Sequence, residues 1–288
     1  MKAVKNALPL MLVLCLLYSV PFSASAATFT DAHGNVIELD ESLEAYAFIP
    51  LLGAEDAARR GETNLGDLWT DALRWFAASG AINEYFEEDD VAAGNTEIAV
   101  DSGHIVALWN GGNLRADVSE GKFGAEQLAQ VLPYPNKVAV VYMTGAQLLE
   151  ALEAASQALP YGEETADACA SFMQVSGLKY TVNTAVSYDR GEPYNDKWFQ
   201  AASLGRVSID EVNGAPLEPE ALYAVITSNA NLNGMDSSYI FKEAAEENEK
   251  STVTTAVVRD VIWQYISGEL DGVIDETYAQ AQGRITVC

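Results

Sequence analysis

From Asn64 to Ala78 the apolar residues Leu65, Leu68, Trp69, Ala72, Leu73 and Phe76 recur at the three- and four-residue spacing of one helical face. Thr63 or Asn64 supplies a cap, and Asp67 falls in the first turn, where the helix dipole favours an acid. The same period predicts a short helix in AEQLAQVLP (125–133) and an amphipathic one in TGAQLLEALEAASQAL, opened by Thr144. It predicts another in GMDSSYIFKEAAEE (234–247), and a longer one through TTAVVRDVIWQYISGEL that ends near Gly268. Runs of a different kind alternate with these. EIAVDSGHIVALW (97–109) reads as a buried strand broken at Gly103, KVAVVYM (137–143) as a strand, and FMQVSGLKYTVN (172–183) as a strand pair around Gly177. RVSIDEVNGAPLEPEALYAVITS (206–228) holds two strands separated by an Asn-Gly turn, and GRITV (283–287) closes the chain as a last strand. Hairpins and crossovers both occur, so the expected class is α+β, with mixed β-sheets covered by helices in a single compact domain.

The ends of the chain refine this picture. Lys2 and Lys5, the apolar run Leu8–Val20 and the small residues Ala24-Ser25-Ala26 form the pattern of a secretory signal peptide over 1–26. Cys15 lies within its apolar core and reads as a passing hydrophobe. Residues 27–55 form an extension with a β-hairpin bending at His33-Gly34-Asn35, and 56–288 form the main domain. The expected mature chain is secreted or periplasmic, with no membrane span. Cys169 and Cys288 then stand in an oxidising compartment, where an isolated pair suggests a disulfide worth roughly 4 kcal/mol if unstrained. Two separate thiols are the open alternative.

Charge excludes some partners. With 42 acids against 16 bases the net charge is −26, which repels nucleic acid and anionic membrane. An anionic ligand would need locally gathered arginine. Three bends at strand ends each pair a permissive backbone with one side chain suited to recognition. These are NGGNLR (110–115) with Arg115, VLPYPN (131–136) with Tyr134, and NLNGMDSSY (231–239) with Asp236. Read singly, each is equally an ordinary turn: a surface arginine, a half-packed tyrosine and a helix-capping acid.

Taken in order, ETNLGDLWTDALRW, NGGNLRADVSEGKFGAEQLAQVLPYPNKVAVVYMTGAQLLEALE, SFMQVSGLKYTVN and NLNGMD resemble the C-terminal domain of the 5′-nucleotidase / UDP-sugar hydrolase family. The likeness runs from about Arg59 to GRITV. It implies a substrate-recognition domain that binds a nucleotide, nucleoside or related anionic small molecule. Matched position by position, Arg59 and Arg115 meet a phosphate, and Asn110 and Gly112 lie in the loop that contacts base and sugar. Tyr134 stacks on the base and Asp236 binds the ribose hydroxyls. Two positions depart: the second stacking aromatic falls on Ala230, and Met235 replaces a glycine. Tyr188, Tyr194, Trp198 and Phe199, in YDRGEPYNDKWFQ, either compensate or cover the core.

The family's hydrolysis belongs to a metallophosphatase domain whose ligand motifs are missing from this sequence. His33 and His104 are its only histidines, and no G-x-S-x-G occurs. The acidic loop YFEEDDVAAGN reads as solvated surface. The resemblance therefore implies no catalytic residues, metal or cofactor in the chain, and binding without intrinsic hydrolysis. Its alternatives are a recognition subunit completed by a separate metallophosphatase chain, and an interaction module that no longer uses the pocket.

Overall fold

The computed structural model describes residues 28–30, 36–38, 45–54, 56–162, 168–195 and 197–288. The signal-peptide pattern over 1–26, and with it Cys15, lies outside these residues, as does His33. The chain divides into two compact units, 1–41 and 42–288. In the first, β1 (Thr28–Thr30) pairs antiparallel with β2 (Val36–Glu38), which is the expected hairpin.

The second unit carries, in chain order, β3 (Ala45–Ala47), α1 (Asn64–Ala78), α2 (Glu88–Ala92), β4 (Ile105–Asn110), β5 (Gly121–Phe123), α3 (Ala125–Val131), β6 (Lys137–Thr144) and α4 (Gly145–Ala155). Then follow β7 (Met173–Ser176), β8 (Leu178–Val182), β9 (Arg190–Pro193), β10 (Phe199–Ala201), β11 (Val207–Val212) and β12 (Leu222–Ser228). The chain ends with α5 (Asn229–Leu232), α6 (Tyr239–Glu247), β13 (Thr252–Val257), α7 (Val258–Gln264), β14 (Val273–Ile274) and β15 (Ile285–Val287).

A five-stranded mixed sheet in the order β13-β6-β12-β4-β7 divides the core in two. Side chains alternate across a strand, so each central strand feeds both halves. Ile105, Ala107 and Trp109 of β4 join Val138, Val140 and Tyr142 of β6 and Ala224 and Ile226 of β12 on one face. Helices α1 and α7 cover that face, with the Trp69 and Trp109 rings 6.2 Å apart. Val106, Leu108, Val141, Met143, Tyr223 and Val225 point the other way, into a core closed by α4, α6 and the sheet β11-β8-β15. This is the α+β arrangement the sequence predicts. Among the described residues no helix is long and apolar enough to cross a membrane.

Helix α1 spans the predicted residues, and Thr63 rather than Asn64 caps it, its Oγ1 accepting from Gly66 N at 3.1 Å. Asn64 is used differently: its Nδ2 donates to the carbonyls of Pro50 and Tyr278, while its Oδ1 accepts from Leu52 N. Thr63→Ala is expected to cost about 1 kcal/mol, read as a lower denaturation midpoint at unchanged slope.

Four expectations change. The boundary at residue 56 moves forward, because β3 pairs with β5 and β14, and Leu51 bridges Val118, inside the second unit. The long helix expected from Thr254 starts only at Val258. The β-branched run Thr252-Val253-Thr254-Thr255 instead extends the central sheet beside β6. The acidic loop contains the short helix α2. The suggested disulfide is not formed: the buried Cys169 thiol donates to the Ala158 carbonyl, whereas exposed Cys288 follows β15 with its sulfur near the Val182 carbonyl.

Candidate functional site

Sheet direction brings the three bends together. β12 runs parallel to β4 and antiparallel to β6, so the C-terminal ends of β4 and β12 meet the N-terminal end of β6. The bend after Asn110, the loop before Lys137 and the turn after Ser228 therefore share one edge of the sheet. β7 is antiparallel to β4, with Met173 opposite Asn110, which brings the 168–171 turn to the same edge. Backbone contacts lock the bends to one another. Arg115 N donates to the Val131 carbonyl at 2.8 Å, and Lys137 N donates to Asn229 Oδ1 at 2.9 Å.

The result is a cleft of about 420 Å³ lined by Gly112, Asn113, Arg115, Tyr134, Met235 and Asp236, with Pro135, Asn136, Ala170 and Ala230 completing the wall. The Arg115 guanidinium lies 5.8 Å from the centre of the Tyr134 ring, within range of a cation–π contact. Arg115 Nε is buried with no hydrogen-bond partner among the described residues. Tyr134 is 46% exposed and Met235 37%, so a ring face and a thioether are both open to solvent. Asp236 sits in the left-handed region at φ +55°. Burial pushes its carboxyl above the ordinary value, and Lys197, Arg115 and Arg59 pull it back.

Arg59 and Arg115 both act electrostatically on that carboxylate, and the segments bearing them are tied in three places. Asp117 Oδ1 accepts from Gly53 N and Ala54 N, both at 2.8 Å. A Cβ on Gly111 would stand 2.0 Å from the Ala58 carbonyl oxygen, so only glycine lets the two backbones approach. Gln174, fully buried on β7, donates from Nε2 to the carbonyls of Ala58 and Gly61 and accepts from Thr63 N. Gly66 leaves the room that the Gln174 amide fills.

Of the residues singled out in the sequence, Gly112, Arg115, Tyr134 and Asp236 line the cleft, whereas half-buried Arg59 is not among the lining residues and reaches Asp236 only through its charge. Asn110 does not reach it. Its side chain is buried, with Oδ1 accepting from Asn113 Nδ2 at 2.9 Å, and it is Asn113 that borders the cleft. The reason is strand geometry: Asn110 is the last residue of β4 and stays in the sheet, whereas Asn113 lies past the glycine turn. Gly112 is confined by Ala170, whose Cβ would lie 2.5 Å from a Cβ at that position.

None of Tyr188, Tyr194, Trp198 and Phe199 lines the cleft. Tyr188 donates to the Phe199 carbonyl, Phe199 carries Arg190 over its ring, and Tyr194 packs 5.6 Å from Tyr239. Tyr194 packs against the core, and among the described residues Tyr134 is the aromatic that lines the cleft. Among the described residues no group of three His, Cys, Asp or Glu side chains is placed to hold a metal ion. His104 lies in a turn ahead of β4, its Nδ1 2.9 Å from Asp101 Oδ1. Sequence reasoning missed Gln174 and Asn113, since neither a mid-strand glutamine nor a second asparagine in a turn stands out by spacing.

Comparison with known proteins supplies the family. Residues 45–243 match the family described as 5′-nucleotidase, C-terminal domain. The chain is 26% identical over 238 residues to the trifunctional nucleotide phosphoesterase protein YfkN of Bacillus subtilis, covering 81% of this chain and 14% of that protein. It is 30% identical over 191 residues to the cell wall protein Lmo0130 of Listeria monocytogenes, covering 64% and 19%. It therefore spans about a fifth or less of these relatives. Among solved structures, the 5′-nucleotidase precursor of Thermus thermophilus superposes with a TM-score of 0.59 at 27% identity, covering 85% of this chain and 39% of that one. The NAD nucleotidase of Haemophilus influenzae shares the fold with a TM-score of 0.56 at 13% identity, covering 91% and 48%. With β4, β6, β7 and all three bends inside the matched stretch, the chain belongs to the 5′-nucleotidase C-terminal domain family.

Proposed function

We propose that the cleft binds a nucleotide, nucleoside or related anionic small molecule, and that this chain does not hydrolyse it unaided. The observation carrying this is the placement of Arg115 against the exposed Tyr134 ring, in a cleft shared with half-buried Asp236, on a molecule with a net charge of −26. Outside the cleft the field repels anions. Inside it Arg115 supplies the charge that attracts one, reinforced by Arg59, which acts on the same Asp236 carboxylate; Tyr134 offers a face for a flat ring, and Asp236 an acceptor for hydroxyls. The relatives named above, two of them nucleotidases and one a nucleotide phosphoesterase, support the same class of ligand. The leader-like pattern over 1–26, together with a relative named as a cell wall protein, supports action outside the cytoplasm.

Calorimetric titration with AMP, adenosine and UDP-glucose tests this reading. AMP binding is expected to weaken at least tenfold in Arg115→Ala, with adenosine little changed, because a charge-assisted hydrogen bond to phosphate contributes about 1.5–3 kcal/mol. AMP binding that is absent in the wild type, or equal in both proteins, defeats it. A second reading has the domain serving as the recognition part of a complete hydrolase with a metallophosphatase domain or chain. The far greater length of the relatives favours it. Phosphate release by this chain alone, with Mn²⁺ or Zn²⁺ added, is expected to stay at background under both.

A further inference from the structure

The hairpin β9–β10 has no counterpart among the motifs that suggested the family, yet its tip touches the turn that carries Asp236. Tyr194 Oη donates to the Gly234 carbonyl at 2.6 Å, and Asn195 Nδ2 donates to the Asp236 carbonyl at 3.0 Å. The turn needs holding: Gly234 and Asp236 both have positive φ, +81° and +55°, and Asp236 is not a glycine. Its own hydrogen bonds are short-range, from Gly234 N to Asn231 O, Met235 N to Ala230 O and Ser238 N to Met235 O. Tyr194 fits only because residue 234 lacks a side chain; a Cβ there would lie 2.2 Å from the tyrosine oxygen.

The hairpin is itself fixed to the body of the domain. Phe199 N donates to Gln157 Oε1, Ala201 N donates to Tyr239 Oη, and Tyr239 Oη donates to Glu150 Oε1 on α4. Tyr194 packs on Tyr239, the first residue of α6. A path of contacts therefore runs from α4 through the hairpin to the backbone on both sides of Met235.

We propose that the hairpin is a strap, with Tyr194 and Asn195 as positioning residues that hold the Asp236 carboxylate in the cleft without touching the ligand themselves. Hydroxyl recognition by Asp236 would then depend on a segment distant from all three bends. The ligand side of this proposal rests on the nucleoside reading above. Lys197, on the same hairpin, exerts the largest charge effect on Asp236.

Two measurements test it. By hydrogen exchange without ligand, Tyr194→Phe is expected to speed exchange at Gly234, Met235 and Ser238 by about fivefold or more while leaving β12 amides unchanged. Asn195→Asp, which retains the acceptor oxygen used within the hairpin but loses the donor, is expected to do the same. Unchanged exchange at these three amides in both variants overturns the strap. With ligand, Tyr194→Phe is expected to weaken adenosine several-fold, to leave 2′,3′-dideoxyadenosine unchanged, and to have no further effect in an Asp236→Ala background. An equal loss for both nucleosides overturns the positioning role in favour of a general structural one. If the wild type binds neither nucleoside, the proposed function fails, and the exchange data alone decide the strap.

Discussion

Gly111→Ala is expected to lower stability by about 3 kcal/mol and to abolish the convergence of Arg59 with Arg115. The new methyl would stand 2.0 Å from the Ala58 carbonyl oxygen, which is backbone and cannot rotate away as a side-chain end would. On the other side Gly111 N donates to the Phe172 carbonyl at 2.7 Å, so the bend cannot retreat without giving up that hydrogen bond. Overpacking of this kind costs about 1–3 kcal/mol, and more where backbone must move. For a domain of this size the melting temperature should fall by roughly 10 °C. Because Arg59 follows Ala58 directly, AMP affinity should fall even at temperatures where the variant remains folded. Gly61→Ala is the control, since a Cβ there meets nothing within 4 Å. Equal stability of the two variants would show that the bend is loosely packed and that the arginines are gathered by other means.

The second large effect is a loss of stability with rising pH that disappears in Asp67→Asn. Asp67 is 1% exposed, and burial pushes its carboxyl from the ordinary 3.8 up to about 8. Arg284 opposes this, but its Nη2 donates to Asp71 at 2.8 Å and its Nη1 to the Val175 carbonyl, leaving Asp67 only a 3.7 Å contact. Two carboxylates thus share one guanidinium, and burial favours the protonated form of the deeper one. The folded state binds a proton that the unfolded chain has released. The stabilising contribution is therefore complete below about pH 4 and is lost as pH rises towards about 8. Each unit is worth about 1.4 kcal/mol, so the total is on the order of a few kcal/mol. Denaturant unfolding at pH 5.5, 7 and 8.5 should show the wild type weakening and Asp67→Asn changing little. Parallel pH dependence in both proteins would mean that Asp67 is already ionised in the fold.

Asp67 also illustrates what a helical pattern hides. Its place in the first turn of α1 reads as a partner of the helix dipole and says nothing of burial, yet the chain from Gln282 to Ile285 folds over it. Gln282 N donates to its Oδ2 at 3.0 Å, while Glu62 Oε2 accepts from Arg284 N and Ile285 N. Nothing local to residues 62–71 signals that contact, because its partners are more than two hundred positions away. The run from Thr252 misled differently. Helical spacing continues upstream of Val258, but an open edge of β6 was available, and paired strands satisfy a β-branched backbone better than a further helical turn. Asn110 and Asn113 are a third case. Turn composition identifies the bend but not which of its asparagines borders the cleft, since that depends on where β4 stops.

The sequence alone determined the α+β class, the span and cap region of α1, the strand at 137–143, the three bends, and the scarcity of positive charge that makes Arg115 conspicuous. These properties are local: periodicity, turn chemistry and composition act over a few residues and survive in a one-dimensional reading. Only the tertiary structure decided that the bends share one sheet edge, that Gln174 and Gly111 draw Arg59 towards Arg115, that two cysteines remain apart, and that a distant hairpin grips the Asp236 turn. Each of those depends on strand direction and on close approach between segments far apart in the chain, quantities that residue spacing does not encode.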